Sequence, residues 1–200
     1  MLTFYTNPMS RGRIVRWMLE EVGQPYDTVV LDYGTTMKAP AYLAVNPMGK
    51  VPSVVHDGQV VTEGGAICTY LAEAFPEVGL MPAQRAAFYR WIFFGAGPLE
   101  QAVTNGAMGW VVPPERERTV GYGSMGNVLA TLSAHLGANR YFCGEQFTAV
   151  DIYVGSQIGW GLGFKTLPAM PELEAYWARI KTRPALARAN ALDDALVQRG

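Results

Sequence analysis

The sequence predicts an α/β domain over residues 1–76 followed by an all-helical domain over residues 84–200. Three observations carry this division. A strand, a helix and a second strand follow one another at the N-terminus; a tight hairpin then runs straight into a helix; and from Gln84 onward every apolar repeat has helical spacing. Between the two parts lies Pro-Glu-Val-Gly-Leu-Met-Pro at residues 76–82, where proline and glycine punctuate the chain and mark a linker.

Residues 2–5 and 28–31 read as strands flanking a helix over about 11–22, closed by Gly23 and the Pro25 breaker. Ile14, Trp17, Met18 and Val22 share one face of that helix, and a right-handed crossover makes the two strands parallel. At Val51-Pro52 a proline opens a strand, which is tolerated only where its missing N–H leaves no ladder bond unmade. This step is a candidate for a cis bond that turns the Val51 N–H and C=O outward. Residues 53–55 and 59–61 form two short strands joined through His56-Asp57-Gly58, whose Asp-Gly pair favours a two-residue hairpin turn. A helix over 64–75 follows at once: Thr62 and Glu63 can cap it, Gly64-Gly65 leave its first amides uncovered, and Ile67, Tyr70, Leu71 and Ala74 repeat at helical spacing.

In the second part, Phe88, Trp91, Ile92 and Leu99 define a long helix, interrupted near Gly95-Ala96-Gly97-Pro98 because Pro98 removes a backbone bond. Residues 115–136 make a second helix, weakened by Gly121, Gly123 and Gly126, and later helices run over 149–161, 170–182 and 184–197. Thr148 and Asp151, ahead of Ile152, Val154 and Ile158, form a capping-box variant with Phe147 as a staple, which is a folding role and not a catalytic one.

With 200 residues, 50% hydrophobic side chains and a net charge of −1, the chain can bury a sizeable core and has no basic excess that would point to nucleic acid. No apolar run approaches the roughly 20 residues needed to cross a bilayer, and the first residues lack the pattern of an export signal, so no membrane partner and a cytoplasmic location are expected. Cys68 and Cys143 are the two cysteines and read as buried reduced thiols; His56 and His135 stand apart without a carboxylate cluster, and no metal site is expected.

The order of parts from Asn46 to Glu73 resembles the glutathione-binding half of a glutathione S-transferase: the Val51-Pro52 step, the hairpin and the Glu63 turn occur in sequence within one short stretch. Residues 2–26 are similar to that family's first strand, active-site loop and first helix, and Phe147-Thr148-Ala149-Val150-Asp151 to its buried capping motif. Residues 83–139 match only in helical character. The resemblance implies a thioredoxin-like first domain, a helical second domain, glutathione as co-substrate and a homodimer.

It also implies thiol activation. Ser10, in Asn7-Pro8-Met9-Ser10-Arg11-Gly12-Arg13, stands where serine-type members place the active-site hydroxyl, and where others carry a reactive cysteine. Bringing a thiol from about 8.5 to about 6.5 needs roughly 2.7 kcal/mol of preference for the thiolate. A hydrogen bond to a charged group supplies about 1.5–3 kcal/mol, and a helix N-terminus about 0.3–1 more. Ser10 read from local sequence is an ordinary helix cap; Tyr5, Asn7 and Arg13 are rival donors or field sources, each also readable as packing, turn or solvated charge.

For the tripeptide itself, the resemblance implies that the Val51 backbone beside Pro52 pairs with the cysteinyl unit. The amides at Gly64 and Gly65 would attract the γ-glutamyl carboxylate, and Glu63 would meet the ammonium group. Gly64 departs from the family's usual serine or threonine, which removes one bond worth about 1 kcal/mol. Lys50 and Lys38 are candidates for the glycyl carboxylate, and Met9, Met108, Trp110, Trp160 and Phe164 for an apolar electrophile pocket. The expected activity is transfer of the glutathione thiolate to a hydrophobic electrophile. A glutathione-dependent peroxidase or disulfide reductase, and a non-catalytic binding module retaining the fold, stay open as alternatives.

Overall fold

A four-stranded mixed sheet organises the first unit of the computed structural model, which describes residues 1–198. Strand β1 (Leu2–Thr6) leads through a loop to helix α1 (Gly12–Val22) and back to β2 (Asp27–Val30), which pairs with β1 in parallel as a right-handed crossover requires. A one-turn helix at Thr36–Lys38 and the short α2 (Pro40–Leu43) follow, where no helix was expected. Then β3 (Ser53–His56), β4 (Gln59–Thr62) and α3 (Gly64–Ala74) complete the pattern, in the spatial order β2-β1-β3-β4 with the β1–β3 and β3–β4 pairings antiparallel. Asp57 and Gly58 at the hairpin tip have φ 49° and 80°, the two positive values that a type I′ turn demands.

Side chains alternate across this sheet with period two. Leu2, Phe4 and Thr6 are buried on one face, where α1 and α3 pack; Tyr5 and Val29 turn to the other and meet Leu31, Met37, Tyr42, Val45 and Val51. The sheet is thus held from both sides, and the second cluster lies directly under the proline loop.

The second unit spans Leu80–Thr182 and is helical. Helix α4 (Arg85–Phe94) passes through a π-helical turn at Gly95–Leu99 into α5 (Glu100–Ala107), so Pro98 does not end the helix but widens one turn. The expected helix over 115–136 is in fact two pieces. A 3₁₀ segment at Pro114–Thr119 is separated by a turn from α6 (Met125–Ala138), whose cap Ser124 accepts the Asn127 N–H at 3.2 Å. Three glycines in that stretch weaken a helix enough for a capped restart to win. Helix α7 (Ala149–Phe164) is buried on every side over residues 149–159, and α8 (Pro171–Ile180) packs on it. At its start Asp151 accepts four hydrogen bonds: Phe142 N–H at 3.1 Å, Tyr176 Oη–H at 2.9 Å, Thr148 N–H at 2.9 Å and Thr148 Oγ1–H at 3.1 Å. Burial nonetheless pushes its carboxyl up to about 6.

The last helix, α9, spans Pro184–Val197. It packs on α1 and clusters with the first unit. Ion pairs explain the placement. Arg183 forms a two-point pair with Glu21, Arg188 bonds Glu20 at 3.1 Å, and Arg16 meets Asp193 at 3.1 Å with both side chains almost fully buried. Both cysteines are free thiols, Cys68 fully buried and Cys143 pushed up to about 11 by burial. No helix among the described residues is long and apolar enough to cross a membrane.

Candidate functional site

Strand register brings three loops to one end of the sheet. Tyr5 pairs with Ser53, and Ser53 pairs with Thr62, so the loop leaving β1, the loop entering β3 and the turn leaving β4 start from adjacent positions. These are the loops that hold Ser10, Val51 and Glu63.

The loop entering β3 contains a cis Val51-Pro52 bond. Pro52 would be the next rung after Ser53 and has no N–H to give, so the ladder stops there, and among the described residues neither polar atom of the Val51 backbone finds a hydrogen-bond partner. Below it lies a buried polar network built on Tyr42, Asn46 and Ser53. Tyr42 Oη–H donates to the Lys50 carbonyl at 2.6 Å and contacts Ser53 Oγ at 2.8 Å; Asn46 Nδ2 donates to the same carbonyl at 2.8 Å, while its Oδ1 takes the Met48 N–H at 3.1 Å. Burial raises the Tyr42 hydroxyl above its ordinary value, keeping it a neutral donor. Gly49, at φ 56°, sits so close to Lys38 Nζ and the Met37 carbonyl that a Cβ there would come within 2.9 Å of both. Lys38 spans the loop from outside, donating to the Gly49 carbonyl at 2.7 Å and the Met48 carbonyl at 3.3 Å. Its ammonium is therefore part of the scaffold. Lys50 is exposed at the loop's edge.

The turn leaving β4 differs in kind. Glu63 has φ 67° and ψ 120°, a conformation unfavourable for a non-glycine residue by about 1–3 kcal/mol. It is exposed, and α3 starts immediately after it with no side-chain cap over the amides of Gly64, Gly65 and Ala66. Those N–H groups carry the positive end of the helix dipole and point to an anion.

The loop leaving β1 is pinned at almost every peptide. Asn7 Nδ2 donates to the Leu31 carbonyl at 2.8 Å and Asn7 Oδ1 accepts the Met9 N–H at 2.9 Å, so Asn7 acts as a turn residue with both ends of its amide in use. Arg13 Nε donates to the Pro8 carbonyl at 2.6 Å, and Tyr33 Oη–H to the Met9 carbonyl at 3.1 Å. Ser10 Oγ accepts the Gly12 N–H at 2.9 Å and donates its own proton to the Asn7 carbonyl at 2.6 Å. Gly12 follows because a Cβ there would lie 2.0 Å from Thr6 Oγ1. Tyr5 packs its ring against Tyr42, with centroids 5.5 Å apart, in the cluster beneath Val51.

The five apolar candidates fall in both units. Met9 is exposed on the β1 loop of the first. In the second, Met108 and Trp110 follow the end of α5 and are exposed, while Trp160 and Phe164 stand one helical turn apart on the same face of α7, the first half-buried and the second 77% exposed.

Residues 4–79 match the family model of the glutathione S-transferase N-terminal domain, and residues 108–184 match that of the glutathione S-transferase C-terminal domain. The chain belongs to the cytosolic glutathione S-transferase family. Among curated relatives, glutathione S-transferase 3 of Zea mays is 28% identical over 94% of this chain and 92% of that protein. A glutathione transferase from Methylococcus capsulatus superposes with a TM-score of 0.78 at 28% identity, covering 98% of this chain and all of the other. A sphingomonad glutathione S-transferase, solved in complex with glutathione, gives 0.77 at 27% identity over 96% of this chain and 98% of that one. Within this family framework the thioredoxin-like first domain and the helical second domain stand as expected.

What the sequence reading of this glutathione transferase missed is the support beneath the loops: Tyr42, Asn46 and Ser53 under Val51, and Arg13 under Pro8. Asn46-Pro47 is itself a turn signal, so the Asx turn at Met48 was within reach of the sequence. The Arg13 bond was not, because nothing in residue spacing says which carbonyl a solvated-looking arginine will find.

Proposed function

We propose that this protein binds glutathione at the shared end of the sheet, holds its thiol as the thiolate and transfers it to a hydrophobic electrophilic small molecule. The observation that carries the reading is the register itself: the unpaired Val51 backbone and the uncapped start of α3 open from neighbouring rungs. The cysteinyl backbone pairs with Val51 as an added strand, the γ-glutamyl carboxylate sits on the amides of Gly64 and Gly65, and Glu63 meets the ammonium group. Of the two lysines, exposed Lys50 is assigned to the glycyl end, since Lys38 holds carbonyls. Met9, Met108, Trp110, Trp160 and Phe164 are the apolar groups assigned to the electrophile. A cytoplasmic homodimer is part of the same reading.

Ser10 is the proposed donor to the sulfur. Its proton now rests on the Asn7 carbonyl, so turning to a thiolate exchanges one hydrogen bond for another. The charged bond is worth about 1.5–3 kcal/mol and the neutral one given up about 1 kcal/mol, leaving Ser10 a net of about 0.5–2 kcal/mol. That falls short of the roughly 2.7 kcal/mol needed for a thiol near 6.5, so the helix end, worth about 0.3–1 kcal/mol, shares the task.

The same bond favours a second reading. A hydroxyl already satisfied, together with glycine at position 64, describes a binding module that kept the fold without the chemistry. Calorimetry with glutathione separates the two: micromolar to millimolar binding with activity lost in Ser10→Ala supports catalysis, and no detectable binding supports the module. Assaying a disulfide and a peroxide beside a chlorinated aromatic then splits transfer from reduction.

A further inference from the structure

Among the described residues, charge pairs tie α1 to α9 and to Arg183 just before it, and one of them does more than hold two helices together. Arg13 uses Nε for the Pro8 carbonyl at 2.6 Å and Nη2 for Asp194 Oδ1 at 2.8 Å, a partner 181 residues away. Pro8 has no N–H, so its carbonyl is the one backbone polar group by which that residue can be fixed. The peptide before it supplies the Asn7 carbonyl, which takes both the N–H and the hydroxyl proton of Ser10, at 3.1 and 2.6 Å. Orientation therefore passes from Asp194 to the Arg13 guanidinium, from there to the Pro8 carbonyl, and across Pro8, whose ring fixes φ, to the Asn7 carbonyl that aims the Ser10 hydroxyl.

We infer that Asp194 on α9 is a positioning residue for the Ser10 loop, acting through Arg13. An arginine suits this use because its planar fork offers two donors in fixed relative geometry; a lysine ammonium has the charge without the fork. Asp194 has little else to do. Its neighbour Asp193 is the buried one, paired with Arg16, and Arg183–Glu21 and Arg188–Glu20 add two further attachments. Removing the Asp194 charge should leave α9 docked while Arg13 loses the partner that fixes its fork. The inference rests on the proposed role of Ser10, but its structural core can be read without any substrate.

The test uses the full-length protein with Asp194→Asn, Arg13→Met and Arg13→Lys. Amide hydrogen exchange comes first: in Asp194→Asn the peptide covering residues 7–12 should exchange about fivefold or more faster, while the peptides of α9 stay as in the wild type. Unchanged exchange at 7–12, or equal loosening of α9, overturns the inference, because the aspartate would then be idle or merely a docking group. This readout stands even if the wild type shows no conjugation, so the two failures are distinguishable. Where conjugation is measurable, kcat should fall about threefold to tenfold in Asp194→Asn with the glutathione KM within about twofold, as expected of a misplaced donor. Arg13→Lys should fall as far as Arg13→Met; a lysine variant with wild-type kcat would mean that charge alone matters, and the positioning role would be wrong.

Discussion

Two helix starts in this molecule treat their first backbone amides in opposite ways. At α7 the first amides face inward, Thr148 and Asp151 close a capping box, and the carboxylate collects four donors in a site with no solvent. At α3 no side chain caps the amides, the preceding residue is exposed, and its backbone is held at a positive φ. A buried helix start must satisfy its own donors because water cannot. An exposed one can leave them for a ligand, and a strained non-glycine residue beside it marks the place where that has been done. Ser10 at α1 lies between these extremes: a cap by its present bonds, a donor if the Asn7 carbonyl is traded for a thiolate.

The largest effect that sharpens this contrast is Asp151→Ala. It strands the Phe142 N–H, the Thr148 N–H and the Tyr176 hydroxyl in a dry site, and the loss should reach about 3 kcal/mol or more in a denaturant titration. An equally stable variant would remove the folding role of the box. Next in size is Ser10→Ala. The net of about 0.5–2 kcal/mol derived above predicts a roughly tenfold drop in kcat/KM near pH 6.5 that shrinks toward pH 9, where the thiol ionises unaided. A drop that is the same at both ends of the pH range would show Ser10 to be a cap only. Glu63→Gly should separate stability from binding: relief of the positive φ leaves the melting temperature unchanged or higher, while glutathione affinity falls about tenfold as the charged partner is lost. A simple hairpin-to-helix connection would show no change in affinity.

Acidity gives a milder test. The Asp151 carboxyl is raised from 3.8 to about 6, chiefly by burial, so between these values the folded chain binds a proton that the unfolded chain does not. The contribution of this group to stability therefore grows as pH falls through about 6 and levels off below about 4, amounting to about 1 kcal/mol between pH 7 and pH 5. Comparing the pH dependence of wild type with that of Asp151→Asn isolates it; identical slopes would mean that the hydrogen bonds outweigh the burial. Smallest of all, Gly64→Ser should restore the hydroxyl usual at that place and tighten glutathione by about 1 kcal/mol, roughly fivefold. No change would mean that another group already fills the role.

How much of this was legible beforehand follows from range. The β-α-β start, the Asp-Gly hairpin, the Val51-Pro52 step and the bare Gly64-Gly65 helix start are all local signals, and the backbone follows each of them. Helix α9 over Pro184–Val197 was equally plain as a helix, yet its place on α1 was not, because the pairs Arg16–Asp193 and Arg183–Glu21 join residues more than 160 positions apart. Residues 36–43, where the sequence pattern assigned no element, fold into two short helices that bring Tyr42 under Val51, a contact that only the sheet's second face makes possible. The glycine-rich stretch before Met125 misled in the other direction: its apolar spacing is helical, but Ser124 offers a better helix start than continuity does.

The central claim is that the unpaired Val51 backbone and the open amides of α3 together form the glutathione site. Titrating isotope-labelled protein with glutathione and following backbone amide resonances tests it most directly. The account predicts saturable shifts, in the micromolar to millimolar range, largest at Val51, Gly64 and Gly65, with the amides at the α7 start unmoved. Saturation with the largest shifts elsewhere, or none at all at millimolar glutathione, would contradict it.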